Sequence, residues 1–199
     1  MQCRRWTSLA CAVALAVLVS GSAHATMIGK SVGVALSDGG SLDESDTVVV
    51  GFGPEITPGD GSNVGALLLP NETVDLGALT IDVVLEEGAP NGTTGYGPGT
   101  RYLFSNLSFL DPSLVVSGVT ISLVNITGVA LGSQVTFGPD FVSLLIDTLV
   151  IGDIPNAVDV GRVTLTLQTA VPEPGTALLV ASGLTLLACR RRACVRPNA

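Results

Sequence analysis

Residues 26–170 contain no cysteine, no histidine and no tryptophan, and only three cations, Lys30, Arg101 and Arg162. The missing thiols and imidazoles exclude cysteine-dependent and Ser-His-Asp mechanisms in that segment, together with most zinc sites. The shortage of positive charge excludes nucleic acid as a partner, because binding it needs a basic face to displace counterions from phosphate. The whole chain of 199 residues carries a net charge of −8. Charged residues of either sign make up 13% and hydrophobic residues 47%. That balance favours a buried core over disorder, and the length suits a single domain.

The charge is unevenly spread and divides the chain into three segments, 1–25, 26–170 and 171–199. The first holds Arg4 and Arg5 and no acid; the last holds Arg190, Arg191, Arg192 and Arg196 against Glu173. All the other acids, 16 of the 17, lie in the middle segment, which therefore carries −13. Cys3 and Cys11 fall in the first segment and Cys189 and Cys194 in the last. With no CxxC spacing and two terminal segments of different character, they argue against a disulfide framework or a metal site.

Residues 1–25 have the three parts of a secretory signal peptide. Arg4 and Arg5 form a basic start, Leu9–Val19 is an apolar run, and Ala23-His-Ala25 places small residues for signal peptidase. Eleven helical residues reach about 16 Å, short of the roughly 30 Å hydrocarbon core, so the segment is expected to direct export through the Sec translocon and not to anchor. Trp6-Thr7-Ser8 after the arginine pair does not suit twin-arginine export, and Ser8-Leu9-Ala10-Cys11 is a poor lipobox.

Residues 171–199 combine Val171-Pro-Glu-Pro-Gly175, an apolar run from Ala177 to Cys189, and Arg190-Arg191-Arg192. Pro172 and Pro174 cannot donate backbone hydrogen bonds and hold the chain extended, presenting Glu173 on a stiff segment that an enzyme can grip. The arginine cluster stays cytoplasmic and stops translocation, which leaves the middle segment outside. As a helix, Gly175–Cys189 covers about 22 Å, a short membrane span that requires thinning of the bilayer or snorkelling arginines. Pro172-Glu173-Pro174, the Leu/Ala/Gly-rich run and Arg190–Arg192 together resemble the PEP-CTERM sorting tail of proteins exported by Gram-negative bacteria that make exopolysaccharide. The resemblance covers about 30 C-terminal residues, and Ala193–Ala199 extends further past the arginines than the pattern usually does. It implies recognition by exosortase, a membrane cysteine enzyme that cuts near the tripeptide, transient residence in the inner membrane with the body in the periplasm, and delivery to the cell surface or extracellular matrix. It also implies an association with biofilm.

The middle segment predicts an all-β fold, an antiparallel β-sandwich of about nine strands between an N-terminal signal helix and a C-terminal transmembrane helix. It holds 21 of the 24 glycines and 8 of the 11 prolines, a spacing that long helices do not survive. Between these breakers lie strand-like runs at 31–36, 47–52, 65–69, 79–86, 102–109, 118–125, 134–137, 142–151 and 160–169. Several alternate: Leu79, Ile81, Val83 and Leu85 oppose Thr80, Asp82 and Glu86, and Val163, Leu165 and Leu167 oppose Thr164, Thr166 and Gln168. Period two over many segments is the mark of sheets with one buried face. Gly88–Thr100 reads as an exposed loop.

No catalytic constellation is visible in this segment. Its acids are expected on loops and outward strand positions, so the paired carboxylates of a glycosidase are not evident. Tyr96, Tyr102, Phe104 and Phe109 are the nearest approach to an aromatic platform, with core packing as their ordinary role. Asp38, Asp43, Glu44 and Asp46, with Asp60 and Asn63, offer oxygen ligands for calcium, but without EF-hand spacing, and turns use the same residue types. The expectation is therefore no enzyme, no cofactor and no metal: an exported structural protein of the surface or biofilm matrix, processed by exosortase. The alternative is a secreted carbohydrate-binding module whose partner is exopolysaccharide.

Overall fold

The computed structural model describes residues 25–38, 43–154 and 157–172. These form eleven strands and no helix: β1 (Ser31–Asp38), β2 (Asp43–Val49), β3 (Thr73–Leu76), β4 (Thr80–Glu86), β5 (Thr100–Ser105), β6 (Val115–Val124), β7 (Ile126–Thr127), β8 (Val135–Gly138), β9 (Phe141–Leu145), β10 (Val150–Ile151) and β11 (Val160–Ala170). A five-stranded sheet runs β2-β1-β5-β9-β8, a four-stranded sheet β3-β4-β11-β6, and β10 pairs with β7. Every paired strand is antiparallel.

Alternation decides which face each strand buries. In β4, Ile81, Val83 and Leu85 are buried while Thr80, Asp82, Val84 and Glu86 are only partly covered. Their neighbours in β11, Val163 and Leu165, pair directly with Val83 and Ile81, so the inward rows coincide across the sheet. The five-stranded sheet contributes Val32, Val34, Leu36, Tyr102, Phe104, Val142 and Leu144 to the same hydrophobic cluster. One core thus takes the apolar rows of both sheets, each fully buried Val or Leu contributing about 1.5–3 kcal/mol relative to exposure.

Three differences separate the eleven strands from the nine expected, two that add strands and one that removes one. The run 142–151 breaks into β9 and β10 at Ile146-Asp147-Thr148-Leu149, whose Leu149 N–H bonds back to the Ile146 carbonyl. Short β3 and β7 were not expected. Residues 65–69, expected as a strand, instead form turns. Val64 and Leu68 are the buried members there, a four-residue spacing that belongs to a helical turn and not to a pleat, and the Leu67 N–H reaches the Val64 carbonyl. The segment 88–100 is also less free than an exposed loop. Thr94 and Thr100 are buried, the Thr94 hydroxyl donates to the Ile146 carbonyl at 2.9 Å, and the Gly99 N–H donates to Asp147 at 2.7 Å.

The expected signal helix over 1–25 and transmembrane helix over 175–189 lie outside the described residues, apart from Ala25. Among the described residues no helix is long and apolar enough to cross a membrane.

Candidate functional site

The two ends of the described chain meet at one end of the body. Met27, fully buried, donates its N–H to Ala78 at 2.8 Å, and the Thr26 carbonyl accepts from Leu110 at 2.8 Å. At the other terminus, Thr169 and Ala170 pair with Val116 and Val115 after a register shift between Gln168 and Thr169. Val115 lines an open cleft of about 470 Å³ together with Lys30, Phe109, Pro112, Pro139 and Asp140. Backbone bonds tie this end together: Gly29 N–H to Val50, Val50 N–H to Lys30, Leu107 N–H to Asp140 and Val116 N–H to Pro139. Lys30 is the sole lysine of the chain.

A loop at the same end carries a feature that strand periodicity conceals. Phe52 is 97% exposed, set between Gly51 and Gly53 and ahead of Pro54. It was expected within a strand over 47–52, but β2 stops at Val49. The flanking glycines and the proline were the available signal, since no central strand accommodates that sequence. Glu55 braces the loop, its two oxygens accepting from Gly51 N–H at 2.7 Å and Leu76 N–H at 2.6 Å. Nearby Asp111 accepts from the hydroxyl and N–H of Ser113, and these bonds hold its carboxyl below the usual range.

The opposite end is acidic and contains the one fully buried carboxylate among the described residues, Glu72. It accepts from Tyr96 hydroxyl at 2.5 Å, Leu69 N–H at 3.0 Å and Glu86 N–H at 3.2 Å. Burial outweighs these donors and raises its pKa above the ordinary value. Tyr96 and Tyr102 are likewise pushed up, by burial first and then by neighbouring charge; hydrogen bonding adds to the shift at Tyr96 and opposes it at Tyr102. The result is a closed network that clamps the turn before β3 to the end of β4. Sequence reasoning placed the acids outside and so missed Glu72; Leu69-Pro70 just before it was the only hint of a turn needing an acceptor.

The expected aromatic cluster is core packing. Tyr102, Phe104 and Phe109 are buried, and the Tyr102 and Phe104 rings stack with centroids 5.9 Å apart. Of the oxygen donors considered for calcium, Asp46 and Asn63 do come together, but Asp46 accepts from Val64 N–H at 2.7 Å and from Asn63. Asp60 caps its own turn through Thr57 N–H and Ser62. These carboxylates act as turn caps.

Of the expected processing residues, Ala25 is half-buried against the core and Pro172 is exposed. Ala23, Glu173, Pro174 and Arg190–Arg192 lie outside the described residues. Residues 170–192 match the PEP-CTERM protein-sorting motif. The chain carries a PEP-CTERM sorting tail. That tail is an exosortase-targeted sorting signal and implies export through a membrane-anchored precursor. Its matched region starts at Ala170, the last residue of β11, so the PEP-CTERM tail begins where the sheet ends, at the cleft end of the body. No curated protein and no solved structure matches the chain.

Proposed function

We propose that this protein is a non-catalytic structural or adhesive component of the surface or extracellular matrix of a biofilm-forming Gram-negative bacterium. Its β-sandwich body is exported through the Sec translocon, freed of residues 1–25 by signal peptidase after Ala23-His-Ala25, and held in the inner membrane by its tail. Arg190, Arg191 and Arg192 stay cytoplasmic, and exosortase takes the stiff Pro172-Glu173-Pro174 segment from the periplasmic side. The observation that carries the reading is the junction: only Val171 separates the end of β11 from Pro172. A cut at the motif releases the body with both sheets whole.

The structural role is supported by the use to which the body puts its polar residues. Glu55, Asp46, Asp60 and Glu72 are engaged in holding turns and loops. Replacing Pro172, Glu173 and Pro174 together by alanine tests the sorting claim. The precursor should accumulate in the inner membrane, and processing equal to wild type would overturn the exosortase reading. A screen against the cell's own polysaccharides tests the structural claim, because saturable affinity for one of them would make the body a carbohydrate-binding module.

A further inference from the structure

We propose that the cleft end of the body is a lipid-docking face, resting on the membrane surface while the precursor is anchored by its tail. This rests on the reading of residues 175–189 as a membrane span.

Chain length limits how far that end can be from the bilayer. The five residue steps from Ala170, the last residue of β11, to Gly175 extend at most about 18 Å. The headgroup layer occupies roughly 6 Å of this on each side of the hydrocarbon. The end of β11 therefore sits within about 12 Å of the headgroups, whatever path the linker takes.

The side chains at that end suit such a position. Phe52 is 97% exposed, Leu110 57% and Val171 48%. Leu110 is hydrogen-bonded to Thr26, and Phe52 lies two residues beyond Val50, which bonds to Gly29 and Lys30. All three therefore lie around the place where the tail leaves. A lone aromatic on a braced, glycine-flanked loop offers area to the interface at little conformational cost. Charge is distributed to match. Glu72, Glu86, Glu87, Asp147, Asp153 and Asp159 cluster around the far ends of β4 and β11, as the pairing of Glu86 with Val160 and the Glu87 N–H bond to Asp159 show. The tail-bearing end holds fewer acids: Asp140 shares the cleft with Lys30, and Glu55 and Asp111 accept from backbone N–H groups and Ser113. An anionic bilayer therefore repels the far end more strongly than the near one.

The test uses the full chain with Trp6→Phe, reconstituted in phosphatidylethanolamine–phosphatidylglycerol vesicles with brominated acyl chains. Single tryptophans are introduced as Phe52→Trp at the proposed face, Val158→Trp at the far end and Leu184→Trp in the tail. Docking predicts blue-shifted, bromine-quenched emission from position 52 and from position 184, and unquenched emission from position 158. Quenching at 184 with position 52 as water-exposed as 158 overturns docking and leaves the anchor standing. Quenching at neither 52 nor 184 overturns the anchor, and docking with it. A shift at position 52 that requires exosortase-containing membranes overturns the lipid assignment in favour of a protein partner.

Discussion

Glu72 is the residue at which burial, hydrogen bonding and charge are most tightly coupled. Glu72→Ala leaves the Leu69 and Glu86 N–H groups and the Tyr96 hydroxyl without their acceptor. Each such buried loss costs about 1–3 kcal/mol, so urea unfolding should show a destabilisation of about 3 kcal/mol. Glu72→Gln keeps an acceptor and should cost far less. The pH dependence separates the two effects. The raised pKa means that, above the unfolded value of 4.5 and up to the folded one, the native state holds a proton that the unfolded state has lost. Stability therefore falls as pH rises through that window and is level above it. Relative to wild type, Glu72→Gln should remove this slope; stability profiles of the two that stay parallel across the window would contradict the assignment. Asp60 and Asp111, whose hydrogen bonds lower their pKa values, act in the opposite sense. Their contribution is present above the ordinary carboxylate range and lost as pH falls through the folded value.

Among the elements, those with clean alternation were legible and those held by tertiary contacts were not. β4 and β11 follow directly from their Val/Ile/Leu rows, because a period of two has no other use there. β3 has only Val74 and Leu76 to bury, too short a pattern beside Glu72 and Asp75 to stand out. Residues 65–69 looked like a strand because they are apolar, but Asp46 caps the turn at Val64 and Pro70 bars continuation. Phe52 shows the same limit at the candidate site: it closes an apolar run expected as a strand over 47–52, while its flanking glycines and proline end β2 at Val49. Close backbone contacts give this scale its prediction. A Cβ on Gly88 would lie 2.5 Å from the Gly95 Cα and 2.8 Å from the Thr94 carbonyl oxygen. Gly88→Ala should therefore cost about 1–3 kcal/mol in urea unfolding. A Cβ on Gly118 meets the end of the Gln168 side chain, at 2.5 Å from Oε1, which can swing aside. Gly118→Ala should stay within about 0.5 kcal/mol of wild type; equal losses at the two sites would refute this account of the 88–100 segment.

For the whole molecule, the net charge of −8 conceals a basic N-terminal segment and a basic tail around a body at −13. The C-terminal sorting motif was the most legible part of the chain, because a sorting signal must be read locally by its receptor, whereas the body's contacts are dispersed over eleven strands. The first strand begins at Ser31 and the last ends at Ala170, so neither proposed cut removes a strand. Deleting residues 171–199 should leave a folded body that no longer fractionates with the inner membrane, and continued membrane association of that variant would mean that the tail is not the anchor. The most direct measurement is intact-mass spectrometry of the mature protein purified from its native cells. Processing at both segments predicts a species that starts at Thr26 and ends within a few residues of Pro172-Glu173-Pro174. A surface or matrix species that retains Ala177–Cys189 and Arg190–Arg192 would contradict it.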